Sequence, residues 1–87
     1  MGDGMYFTKN EIIELKGGKK HVVLDTTKLN GLYYYYVAEV NPEESKMVPD
    51  FKVITAVDEN GYLFVKTIKD ELEQELTGIF KQQLNLN

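Results

Sequence analysis

Apolar and polar positions alternate in twos over most of the chain and switch to a spacing of three and four after Thr67, a pattern that predicts strands followed by a helix. Residues 11–15, 20–27, 32–40, 51–57 and 62–67 read as strands, the third dominated by aromatic and β-branched side chains. Three connections carry hairpin signals: Gly17-Gly18, Asn30-Gly31 and Asn60-Gly61 all offer the positive φ that a tight turn needs. Residues 41–50 hold both prolines, Pro42 and Pro49, around Glu43, Glu44, Ser45 and Lys46, and are expected to form an irregular loop. In the second strand Val22 and Leu24 are expected to point inward, leaving His21, Val23 and Asp25 on the more polar face.

After Thr67, Leu72, Leu76, Ile79, Phe80 and Gln83 fall on one stripe about 100° wide, which predicts an amphipathic helix over 69–84. Thr67 with Asp70, and Asp70 with Glu73, both have capping-box spacing, and the sequence does not choose between them. Asp70, Glu71, Glu73 and Glu75 crowd the first turns and Lys81 lies near the end, as the helix dipole favours. Gly78 sits opposite the apolar stripe at a cost of about 1 kcal/mol against alanine, and reads as a weak point rather than a contact. Because such a helix must bury its stripe, the expected fold is α+β: a five-stranded antiparallel β-meander with the C-terminal helix packed on one face. A partly closed barrel is the alternative. The chain is expected to be a single domain, residues 1–87, with residues 1–4 disordered.

Composition narrows this further. With 43% hydrophobic residues and a net charge of -4 in 87 residues, the chain is globular but close to the size at which burial only just offsets chain entropy. It contains no cysteine, which removes disulfides, thiolate metal sites and cysteine nucleophiles. No apolar run approaches the roughly 20 residues needed to span a bilayer, and Met1 to Gly4 are neither basic nor apolar, so no membrane association and a cytoplasmic location are expected. A pI of about 4.9 argues against nucleic acid as a partner, and the cluster Lys16, Lys19, Lys20 is too small to reverse that.

The most unusual feature is the run Tyr33, Tyr34, Tyr35, Tyr36, which on a strand places two rings on each face. One pair is expected to fill the core. The other is expected to shield the opposite face or, taken as Tyr33 and Tyr35 with Tyr62 and Phe64, to form a candidate aromatic surface for a ligand or partner, since such rings combine large contact area with, in tyrosine, a polar tip. His21 is expected at the surface: Asp25, four residues along the strand, stands about 13 Å away, too far to orient it. Glu43-Glu44 and Asp58-Glu59 match no calcium-loop spacing and read as solvated loops, so no metal and no cofactor are expected. Ser45 and the threonines lack a nucleophile elbow, which argues against an enzyme.

The order Ile13-Glu14-Leu15, a glycine turn, His21-Val22-Val23-Leu24-Asp25, Asn30-Gly31, a tyrosine strand and Asp70-Glu71-Leu72-Glu73 opening the helix resembles the YrzB-like uncharacterised small acidic proteins of Gram-positive bacteria. The resemblance spans residues 11–84, and the four-tyrosine run departs from the usual pattern. It implies a short acidic bacterial protein and brings no activity, cofactor or catalytic residue with it. The expected function is that of a non-enzymatic interaction or accessory protein acting through protein–protein contacts, with a protein partner or a homodimer formed through the aromatic outer face, edge-strand pairing being the alternative geometry. The alternatives are a nucleic-acid-binding β-barrel using the tyrosine strand and a small-ligand binder.

Overall fold

The computed structural model describes residues 5–15, 17–41, 43 and 46–85, with backbone alone at 46–49. Five strands precede one helix: β1 (Ile12–Glu14), β2 (Lys20–Leu29), β3 (Leu32–Asn41), β4 (Lys46–Glu59), β5 (Tyr62–Thr67) and α1 (Asp70–Gln83). The strands form one antiparallel sheet in the order β1-β2-β3-β4-β5, curled into a half-barrel. The meander and its closing helix are therefore as the alternation predicts. Leu29 pairs with Leu32 and Glu59 with Tyr62, so Asn30-Gly31 and Asn60-Gly61 are two-residue turns. Both residues of each have positive φ (52° and 87°, 56° and 85°), the geometry that matches strand twist and that glycine adopts without strain.

The expected loop over 41–50 is shorter than predicted, because β3 runs to Asn41 and β4 begins at Lys46. Val40 pairs with Met47 beyond an irregularity that follows Ala38, and Pro49 falls inside it, where a missing N–H breaks no regular ladder. Pro42, Glu44 and Ser45 lie outside the described residues, as do residues 1–4 and Lys16.

Both faces of the sheet are covered, which changes the meaning of inside and outside. On one face Ile13, Val23, Tyr35, Val37, Ile54 and Ala56 form a core closed by Phe7, whose ring meets that of Tyr35 edge-on at 5.0 Å. The N-terminal segment is tied down by Tyr6 N–H donating to Tyr35 Oη (2.9 Å) and Asn10 N–H donating to Val23 O (2.7 Å). On the other face Leu76 and Phe80 of α1 pack on Tyr34, Tyr36 and Val53, with Phe80 and Phe51 each stacked on Tyr36 (5.2 and 5.6 Å). Gln83 pins the end of the helix to β2: its Nε2 donates to Asp25 Oδ2 (2.8 Å) and Thr26 O (3.2 Å), and its Oε1 accepts from Thr27 Oγ1 (3.0 Å). Val22 and Leu24 are only partly buried, on the helix face, while His21 and Val23 are fully buried on the other; an irregularity between Val23 and Asp25 turns Asp25, which pairs with Tyr36, to the helix face, so the expected polar face of β2 is split and its first half is interior.

The helix starts one residue later than expected and without either capping box. Lys69 is the N-cap and makes no side-chain cap bond. Thr67 cannot cap because it still pairs with Ile54 in the sheet, and Asp70 is already the first helical residue, at φ 68°. The acids of the first turn thus act through the dipole alone. No described helix is long and apolar enough to cross a membrane.

Two substitutions in α1 should move stability in opposite directions in the same melting experiment. Phe80→Ala removes a fully buried ring and is expected to cost about 3 to 5 kcal/mol. Gly78→Ala adds a methyl that meets nothing within 4 Å and is expected to raise stability by roughly 0.5 to 1 kcal/mol.

Candidate functional site

The sheet register separates the four residues expected to share an aromatic surface. Tyr34 stands opposite Thr55, which stands opposite Lys66, so Tyr34 and Tyr36 share the helix face with Tyr62 and Phe64. Tyr35 stands opposite Ile54, which stands opposite Thr67, so Tyr33 and Tyr35 share the other face with Leu63 and Val65. Tyr35 is fully buried beneath Tyr6 and Phe7, and Tyr33 is half-buried with Lys28 Nζ held 5.3 Å from its ring centroid. Tyr62 and Phe64 remain open to solvent, at 72% and 47% exposure. The expected single platform is thus two separate pairs on opposite faces, because a one-residue step along a strand changes face.

His21 is not at the surface, as expected, but fully buried, paired in the sheet with Ile13 on one side and Glu39 on the other. Its Nδ1 lies 3.3 Å from Lys19 O, and since a carbonyl only accepts, this contact requires the proton on Nδ1. Nε2 is buried with no hydrogen-bond partner among the described residues. Asp25 is engaged elsewhere, accepting from Thr26 N–H and Gln83 Nε2. No three His, Cys, Asp or Glu side chains converge as metal ligands among the described residues.

The feature that stands out instead is β5. All six of its residues are exposed, and Tyr62, Leu63, Phe64 and Val65 put apolar groups on both faces of the same strand. Neither cover reaches them: Phe7 packs over β2 to β4, and α1 contacts β2, β3 and β4. The outer edge of β5 pairs with no described strand. β1 leaves it free, since β1 pairs with residues 20–22 at one end of the sheet while β5 pairs with residues 54–59 at the other, and no Cα of β1 lies within 8 Å of β5. Between these two edges lies a groove of about 380 Å³ lined by Glu14, Leu15, Lys52, Leu63, Val65 and Thr67.

Leu63 and Val65 are the residues that the sequence reading missed. Their signal is legible in retrospect: β5 alternates without a polar face until Lys66, which no strand lying under a single cover requires. Fold and site together define a small α+β protein with a double-covered central sheet and one bare, apolar edge strand. Comparison with known proteins finds no family model, no curated protein and no solved structure that matches the chain.

Two chemical expectations follow from the buried aromatic and imidazole groups. Burial raises the hydroxyl pKa of Tyr35, against the lowering effect of backbone N–H groups of Tyr6 and Phe7, and burial raises that of Tyr36. A raised acid pKa stabilises the fold fully below the unfolded value of about 10, and that contribution is lost as pH climbs through the folded value. In an alkaline titration followed by phenolate absorbance, Tyr35 and Tyr36 are therefore expected to ionise together with unfolding rather than before it. At His21, leucine removes the unpartnered Nε2 and gives up one long contact to a carbonyl in an exposed turn. His21→Leu is expected to melt at or above the parent, whereas His21→Ala, which leaves a cavity, is expected to cost about 2 kcal/mol or more.

Proposed function

We propose that this chain is a non-enzymatic interaction or accessory protein of the bacterial cytoplasm, working through protein–protein contacts at the open edge of β5, with self-association into a homodimer among them. The observation that carries this reading is β5 itself: a terminal strand whose outer backbone edge pairs with no described strand and whose apolar side chains are exposed on both faces. An edge of this kind is a template for main-chain hydrogen bonding to another strand, with alternate side chains supplying contacts above and below the sheet. The bacterial origin accords with the resemblance to the YrzB-like proteins, which brings no activity with it. Against catalysis, the sole histidine is buried without a carboxylate partner among the described residues, and Asp25 is spent on the helix end. Against base stacking on the tyrosine strand, Tyr35 offers no ring face and Lys28 lies over Tyr33.

Replacing Tyr62 with a photoreactive phenylalanine analogue in the source cells tests the reading. Irradiation is expected to give adducts that are protein on protein, and a probe at Glu71, exposed on the helix, is expected to give none of them. Adducts to nucleic acid, an absence of adducts, or the same set from both positions would overturn it.

A further inference from the structure

The backbone of β5 has a definite outward pattern, fixed by its hairpin. Glu59 and Tyr62 flank the two-residue turn, so the Tyr62 N–H donates to the Glu59 carbonyl across it. Antiparallel alternation then directs the backbone groups of Tyr62, Phe64 and Lys66 toward β4, and those of Leu63, Val65 and Thr67 away from the sheet. An added antiparallel strand must therefore hydrogen-bond to Leu63 and Val65.

We infer that the strand added here is β5 of a second copy, in the register that centres the two-fold axis on Phe64; this rests on the reading of β5 as an interaction edge. A two-fold perpendicular to the sheet keeps each face continuous across the pair. With Phe64 opposite its own counterpart, Leu63 faces Val65 of the second copy and the two exchange N–H to C=O bonds in both directions, twice over by symmetry. On the face opposite the helix the matched pairs are leucine with valine. On the helix face they are phenylalanine with phenylalanine at the axis and Tyr62 with Lys66 beside it, so no like charges stand opposite one another. Moving the axis to Val65 sets Phe64 against Lys66 and Leu63 against Thr67, mismatching apolar with polar at both positions.

The chosen register also extends a row that each copy already carries. Val57 pairs with Phe64 and Leu32 with Leu29, and the β3–β4 register places Leu32 beside Val57, so an apolar row crosses β2 to β5 on the helix face. Joining two copies at Phe64 makes that row continuous from one molecule through the other. A six-residue strand pair buries less than the roughly 1,200 Å² of a stable complex, so the dimer belongs to the weak, reversible class.

The absence of native cysteine allows the register to be read by single-cysteine variants of the full chain. Phe64 sits at a non-hydrogen-bonded pair, where Cα atoms are about 4.5 Å apart, inside the disulfide range of about 4.4 to 6.8 Å. Phe64→Cys is expected to give an intermolecular disulfide under mild oxidation. Val65→Cys, displaced from its counterpart by two residues, and Tyr62→Cys, displaced by four, are expected to stay reduced. Light scattering on the parent is expected to show a dimer that dissociates on dilution, and Val65→Lys to show monomer at concentrations where the parent associates. A monomeric parent at high micromolar concentration overturns the inference, as does a dimer in which Val65→Cys or Tyr62→Cys links as readily as Phe64→Cys. If Tyr62 photo-adducts to a different protein accompany either result, the interaction edge stands and the self-pairing falls.

Discussion

Four consecutive tyrosines on the central strand force two large rings through each face of the sheet, and every other element answers that constraint. Tyr35 on one side and Tyr34 with Tyr36 on the other need cover, and the chain supplies it from its two ends. The segment before β1 lays Phe7 against Tyr35 and caps the phenol with the Tyr6 N–H; the helix lays Phe80 and Leu76 against Tyr36 and Tyr34. A sheet clothed on both sides gives a short chain two small cores in place of one large one, with β3 as the wall they share. The consequence is that cover runs out at the margin. Both lids centre on β2 to β4, and β5, added beyond them by a tight hairpin, receives neither.

Much of this architecture was legible because the signals are local. The Asn-Gly pairs set two hairpins whose loop length fixes the register of the flanking strands, and the spacing from Leu72 to Phe80 identified the buried stripe of the helix. What was not legible depended on what covers each face. His21 reads as polar in sequence, yet its face of β2 becomes interior once the N-terminal segment folds across it, a contact between residues far apart in sequence with no periodic signature. The same event reverses the reading of Tyr33 and Tyr35 as exposed. The capping boxes failed for a related reason: Thr67 has the right spacing, but its pairing with Ile54 keeps it in the strand. Strand continuation outcompeted a cap worth about 1 kcal/mol.

The two edges of the sheet are treated differently, and the contrast bears on what β5 is for. β1 is only three residues long, follows the tethered N-terminal segment and ends at a two-glycine turn, all of which blunt it against pairing. An ion pair there, Lys20 to Glu14 at 3.7 Å, joins side chains that are about half exposed and adds little stability, but it places charge at that edge. β5 is twice as long and carries no proline, no irregularity in its pairing with β4, and Lys66 as its one charge. A chain that blunts one edge and leaves the other open has the means to protect an edge and does not apply it at β5.

That asymmetry also separates the energetics of folding from those of association. The fully buried side chains lie in β2, β3, β4 and α1, and every residue of β5 keeps substantial exposure, so substitutions on β5 remove little of the burial that holds the fold. The edge can therefore change its apolar groups, or its register preference, at small cost to stability, whereas the tyrosines of β3 cannot be altered without disturbing both cores at once. A surface built in this way has its specificity in the alternation and backbone phase of a few residues rather than in titratable groups. Its chemistry is that of a strand seeking a strand, and the residues that set its selectivity are Leu63 and Val65 on one face and Phe64 with its flanking Tyr62 and Lys66 on the other.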